Sequence, residues 1–187
     1  MRPTPARLLA GAALIALGAL AGVARATVVT TCRAAADSDP RVDYGFCVAE
    51  LGNHHDSPDA DTWGLAKVAA LTGVNNADDA VYDIDAMLSK PGGGGGGAAP
   101  DGPTRAALGQ CRGLYDKMGF AFAEAQDEIN KRDYAAGKAQ VAEAAALANQ
   151  CDDALAKGGA APSPLAKRSS YAAKIAVVCT AITNLIK

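Results

Sequence analysis

Apolar residues recur at steps of three and four along three long stretches of this chain. In the cleanest, Leu108, Cys111, Tyr115, Met118, Phe122, Ala125 and Ile129 share one face of a helix that the pattern starts near Thr104, just after Pro103. A second stretch, Tyr134, Gly137, Val141, Ala144, Ala148, Cys151 and Leu155, stops before Gly158-Gly159 and presents a small-residue stripe that a neighbouring helix can approach closely. The third opens with Ser163-Pro164, read as an N-cap followed by proline at the first helical position, and continues through Leu165, Ala172, Ile175, Cys179, Ile182 and Ile186. A weaker helix is predicted between Asp61 and Ser89, with Trp63, Ala70, Val74, Ala77, Val81, Ile84 and Leu88 in phase and Lys67 interrupting. Gly64, Gly73 and Asn75-Asn76 count against it, since an interior glycine costs about 1 kcal/mol relative to alanine. Alternating β-branched residues are scarce, so strands have little to be built from. The fold class predicted is all-α, with residues 59–187 closing as an up-down-up-down four-helix bundle.

Three segments fall outside that pattern. Residues 91–103 contain Pro91, the glycines Gly92 to Gly97, and Ala98 to Pro103. A phosphate-cradling loop would require G-x-x-x-x-G-K-[ST] after a strand, and neither is there, so the segment reads as a flexible connection that tolerates changes in length. Residues 27–58 hold Cys32 and Cys47 with Pro40 roughly midway, and read as an N-terminal helical hairpin. Residues 1–26 carry Arg2 and Arg7, an apolar core from Leu8 to Val23, and Ala24-Arg25-Ala26, the layout of a cleaved secretory signal. Cleavage after Ala26 leaves 161 residues, the length of one domain.

Loss of that leader changes the charge. It removes Arg2, Arg7 and Arg25 and no acidic residue, so 18 basic side chains become 15 against 20 acidic ones, and the net charge moves from −2 to −5. Without a basic stripe, nucleic acid and acidic polysaccharide are poor direct partners, and after cleavage no segment remains to hold the chain in a membrane. The partner expected is a protein.

The chemistry-bearing residues are few. Five cysteines, Cys32, Cys47, Cys111, Cys151 and Cys179, enter an oxidising compartment, where disulfides are the default and arithmetic allows 15 ways of forming two bridges and leaving one thiol. No C-x-x-C or Cys/His cluster marks a zinc site. His54 and His55 sit in a polar loop and read as solvated, and Ser57 with Asp56 and His55 is too local for a catalytic triad. There is no G-x-S-x-G elbow. The pairs Asp78-Asp79 and Asp152-Asp153 point in different directions on a helix and read as solvated faces. No catalytic residue, metal or cofactor is therefore expected, and no N-x-[ST] sequon occurs.

Four features, taken together, are similar to the plant invertase and pectin methylesterase inhibitor family. They are the cysteine hairpin at Thr31-Cys32 and Tyr44 to Val48; Cys111-Arg112-Gly113-Leu114-Tyr115; the run Ala146 to Asp153 around Cys151; and a closing segment from Ser163 to Arg168 that ends in Ala181 to Ile186. The resemblance spans essentially all of residues 27–187. It implies pairing of Cys32 with Cys47 and Cys111 with Cys151, leaving Cys179 as the free thiol. Cys179 also falls on the apolar seam, where a free cysteine behaves as a small buried hydrophobe. A reactive or intermolecular thiol is the alternative.

The resemblance further implies a secreted, apoplastic protein that catalyses nothing and inhibits a target enzyme in a 1:1 complex, with the vacuole as the alternative location. Two departures bear on the target. Fourteen residues separate Cys32 from Cys47, similar to a pollen-allergen branch of the family. Where the invertase-inhibiting branch often carries Pro-Lys-Phe, the equivalent stretch here looks like Lys131-Arg132-Asp133-Tyr134-Ala135, which tilts the expectation from invertase toward pectin methylesterase. The candidate interface comprises outward positions of two helices and the turn between them: Asp116, Lys117, Glu124, Asp127, Glu128, Lys131, Arg132, Asp133, Lys138 and Glu143. Any one of these residues alone is accounted for by solubility. Together they define a rigid face that could occlude a cleft. An alternative of a different class is a helical bundle carrying an apolar ligand in its seam, against which the small residues Gly137, Ala144 and Ala148 argue.

Overall fold

Asp43, Asp61, Asp101 and Asp133 each stand one position before a helix and accept the backbone N–H three residues on, from Phe46, Gly64, Thr104 and Ala136, at 2.7–3.0 Å. Each satisfies a first-turn donor that the helix cannot, a contribution of about 1 kcal/mol. The computed structural model of the protein describes residues 27–89 and 100–187; the proposed leader at 1–26 and most of the glycine-rich connection lie outside the described residues. Helix α1 spans 27–38. It is followed by α2 (Tyr44–Gly52), α3 (Thr62–Leu88), α4 (Gly102–Asn130), α5 (Tyr134–Lys157) and α6 (Ala166–Asn184). Among the described residues there is no strand, and no helix is long and apolar enough to cross a membrane.

The last four helices close a ring in which α3 packs on α4, α4 on α5, α5 on α6, and α6 back on α3. Consecutive helices run antiparallel. Arg112 near the start of α4 meets Asp85 near the end of α3, while Lys67 reaches Asn130 at the opposite end. Lys138 early in α5 likewise meets Asn184 at the end of α6. This is the predicted up-down-up-down bundle. The hairpin of α1 and α2 is tied by Cys32–Cys47, with Cα atoms 5.8 Å apart, and docks on α6 through Phe46 edge-on to Tyr171 (5.0 Å) and Asp43 to Lys174 (2.9 Å). A second disulfide, Cys111–Cys151, joins α4 to α5. The sequence separations of 15 and 40 residues correspond to roughly 3 and 4 kcal/mol of lost chain entropy in the unfolded state.

All seven positions of the cleanest stripe are buried, Tyr115, Phe122 and Met118 completely. On α3 the structure corrects the predicted phase. Its buried face runs through Leu65, Ala66, Ala69, Ala70, Gly73, Ala77, Ala80 and Ile84, while Trp63, Val74, Val81 and Leu88 lie half-buried at its margins. The reason is at Gly73: a Cβ there would sit 2.6 Å from the Phe122 ring, so α3 meets α4 along small residues and its larger side chains are displaced to the flanks.

Two helix starts also differ from expectation. Helix α4 begins at Gly102, capped by Asp101, so the connection predicted through residue 103 ends two residues sooner. Helix α6 begins at Ala166 without a side-chain cap. Ser163 does not cap it, because its hydroxyl lies 3.4 Å from Asp152 of α5 and accepts the Leu165 N–H, which puts Pro164 in the preceding turn. The hydroxyl donates to Asp152 while its oxygen is used two residues on, by the Leu165 N–H, inside the turn that precedes the helix.

Candidate functional site

On α4, burial of Cys111, Tyr115, Met118, Phe122 and Ala125 turns the opposite stripe outward by helical geometry. Asp116, Lys117, Glu124 and Asp127 are all exposed there. The sequence reading missed the residue at their centre. Phe120 is 67% exposed and lies four residues after Asp116, three after Lys117 and four before Glu124, so charged side chains border an aromatic ring left in water. The available signal was an aromatic two positions from both Met118 and Phe122, on the side of the helix away from the seam. A second ring, Tyr82 on α3, is 76% exposed. It lies between Asp78, whose carboxyl is close to Gly119 of α4, and Asp85, which binds Arg112 of α4 at 2.7 Å, so this ring stands beside the α3–α4 contact. The Arg112 guanidinium holds Asp85 below the usual carboxylate range.

The turn from α4 to α5 is built tightly. The Arg132 N–H reaches the Ile129 carbonyl and the Asp133 N–H the Glu128 carbonyl, which closes α4 with Arg132 in the left-handed region at φ 67°. It is the only non-glycine residue in that region among the described residues. Asp133 then caps α5, so one dipeptide ends one helix and starts the next. Lys131 pairs with Glu128 at 2.9 Å. The Arg132 guanidinium lies 5.3 Å from the centre of the Trp63 ring, on which Lys67 also sits at 3.6 Å, and the Trp63 indole N–H donates to the Ile129 carbonyl at 2.9 Å. Of the ten candidate residues, those on α4 and at the turn form a continuous strip. Glu143 is exposed on α5, while Lys138 turns to the α6 side, where its Nζ meets Asn184 Oδ1 at 2.7 Å.

The family described as plant invertase/pectin methylesterase inhibitor matches residues 26–182. The chain belongs to that family. It is 57% identical over 169 residues to pectinesterase inhibitor 8 of Oryza sativa subsp. japonica, covering 90% of this chain and 88% of that one. It is 26% identical over 156 residues to a putative invertase inhibitor of Platanus orientalis, covering 83% of this chain and 87% of that one. Its fold matches the crystal structure of a mutant form of a pectin methylesterase inhibitor from Arabidopsis, with a TM-score of 0.65 at 17% identity over 83% of this chain and 97% of that one. Members of this family inhibit enzymes and are not themselves enzymes.

Several side chains of this inhibitor-family bundle lie in settings that the sequence reading did not foresee. Asp152 is half-buried rather than solvated: its Oδ1 accepts from Ser169 at 2.8 Å, and Ser169 in turn bonds the buried Tyr115 hydroxyl, whose pKa burial pushes up to about 12. Asp79 is engaged by Arg168. His54 is largely enclosed, and burial lowers its pKa, while His55 stays exposed. His54, His55 and Asp56 bring potential ligand atoms within 4.8 Å of one another, but His54 Nδ1 already accepts the Asp56 N–H. Cys179 is fully enclosed and its thiol pKa is pushed up to about 12 by burial, an environment of an inert rather than a reactive thiol. The seam is closed to an apolar ligand around Gly137, where a Cβ would lie 2.8 Å from Ile129.

Proposed function

We propose that this protein is a secreted inhibitor of pectin methylesterase that forms a 1:1 complex and covers the active-site cleft of its target with the outer face of α4 and the turn at Lys131 to Asp133. The observation that carries the target class is the gradient of similarity, 57% to a pectinesterase inhibitor against 26% to a putative invertase inhibitor. The face supports occlusion because it is preordered. The Cys111–Cys151 disulfide and the Asp101 and Asp133 caps hold it, so little conformational entropy is lost on docking. An exposed aromatic ringed by charge has the composition of an interface anchor. Pectin that has lost methyl esters is a polyanion, and a cleft that attracts it also attracts an acidic inhibitor.

A paired assay tests this reading: the oxidised protein beginning at Thr27 against a plant pectin methylesterase and an acid invertase, from mildly acidic to neutral pH. Stoichiometric inhibition of the esterase alone, with association slowed by salt, is the expected result. Inhibition of invertase alone would move the function to the other branch of the family. Failure to inhibit several isoforms of both would refute it.

A further inference from the structure

Where the N-terminal hairpin meets the bundle there is a cleft of about 330 Å³, walled by the end of α2 and its following loop, the middle of α3 and the start of α6. Asn76 lines it. This side chain is 4% exposed, its Nδ2 donates to the Arg168 carbonyl at 3.2 Å, and its Oδ1 has no hydrogen-bond partner. Turning the amide round would not cure this, because Oδ1 would then face the Arg168 carbonyl oxygen, two acceptors in contact. Asn76 Oδ1 is therefore an acceptor without a donor, enclosed in the wall of the cleft, and a group that donates to it from the cleft must part the atoms that cover it.

Its other walls narrow the chemistry. Glu50 is held by the Tyr171 hydroxyl, and Arg168 is matched by Asp79 at 2.9 Å and Asp83 at 2.8 Å. His54 Nδ1 accepts the Asp56 N–H, so the neutral ring carries its proton at Nε2 as a donor. An anion entering here meets the carboxylates of Glu50 and Asp79, and a cation meets Arg168. A hydroxyl group both donates and accepts, and a set of them suits this alternation of partnered donors and acceptors. We propose that the cleft binds a neutral polyhydroxylated ligand of monosaccharide to disaccharide size, one hydroxyl donating to Asn76 Oδ1. Such a ligand touches α3, α6 and the end of α2 at once, and so holds the hairpin on the bundle.

A proton–nitrogen NMR titration of the oxidised protein tests this without any target enzyme, so its outcome is independent of the inhibitory reading. The probes are galactose and sucrose, with galacturonate and putrescine as the charged comparisons, each to about 50 mM, the range in which weak sugar binding is visible. Saturable shifts are expected for the Asn76 side-chain amide and for backbone amides at 53–54 and 168–171 with a neutral sugar, and at least several-fold weaker responses to the charged probes. Asn76→Leu should weaken binding tenfold or more. Because a change at a buried position can disturb the fold, His54→Ala on the wall of the cleft provides the second variant, expected to weaken binding about threefold with an unchanged circular dichroism spectrum. The proposal is overturned by non-saturable shifts with both sugars, by a response confined to the uronate or the amine, or by sugar binding that survives both substitutions.

Discussion

Phe120 is an aromatic side chain two-thirds exposed on a helix whose other face buries every seam position. Among the described residues little packs on it, so its removal separates stability from recognition. Phe120→Ala is expected to leave the denaturant midpoint within the ±0.5 kcal/mol of an ordinary surface change and to raise the inhibition constant against the esterase by 10- to 30-fold. Asp153→Ala, exposed on α5, serves as the neutral control. Unchanged inhibition by Phe120→Ala would remove the α4 face from the proposed interface. Arg132 presents the converse case. It occupies a left-handed backbone position that disfavours any residue with a Cβ, and the double capping of the turn holds it there. Arg132→Gly is expected to stabilise the fold by about 0.5–1 kcal/mol in chemical denaturation, while removing a guanidinium from the proposed contact surface. A loss of stability would show that the Trp63 and Tyr134 contacts outweigh the backbone strain.

At the level of elements, the helix that the sequence supported least is the one whose glycine matters most. Gly73 lowers the helix propensity of α3, and the same missing Cβ lets α3 lie against the Phe122 ring of α4. Gly73→Ala gains about 1 kcal/mol of propensity and places a methyl group 2.6 Å from that ring. Overpacking of a rigid core costs about 1–3 kcal/mol, so a net loss of stability is expected, measured as a lower urea midpoint. Gly113, which has open space where its Cβ would be, gives the contrasting result: Gly113→Ala should stabilise by up to about 1 kcal/mol. The start of α6 was misread for a related reason. Ser163-Pro164 has the local signature of a helix start, but the Ser163 oxygen accepts the Leu165 N–H within the preceding turn while the hydroxyl donates to Asp152 on another helix. For α4, by contrast, the apolar pattern alone started the helix near Thr104, two residues later than the start that Asp101 caps.

For the molecule as a whole, the acid limit of stability follows from its aspartates. Hydrogen bonds from Arg41, Phe46, Arg112 and Thr104 hold Asp39, Asp43, Asp85 and Asp101 below the 3.8 of a free aspartate, Asp39 to about 2. Because the folded values are the lower ones, the stability these groups contribute is intact above about pH 3.8 and is lost as pH falls from there toward 2. His54, whose pKa is lowered from 6.5 by burial, adds a shallow loss as pH falls below 6.5. Urea midpoints measured from pH 7 to pH 2.5 should therefore fall slightly below pH 6.5 and steeply only below pH 4. A steep fall already between pH 6 and pH 5 would contradict this assignment.

The sequence by itself determined the fold class, the four bundle helices and most of the buried stripe, because helix periodicity is local and each seam residue reports its own phase. The tertiary structure alone decided which outward residues form a strip, because an exposed charge such as Lys138 is drawn to whichever neighbour its helix packs against. It also decided the settings of Asp152, His54 and Asn76, for the same reason: a polar side chain is solvated, partnered or stranded according to what the other elements place beside it. The central position of Phe120 on the α4 face lies between these cases. Its outward direction is readable from its phase, and its exposure of 67% required the neighbouring helices in place.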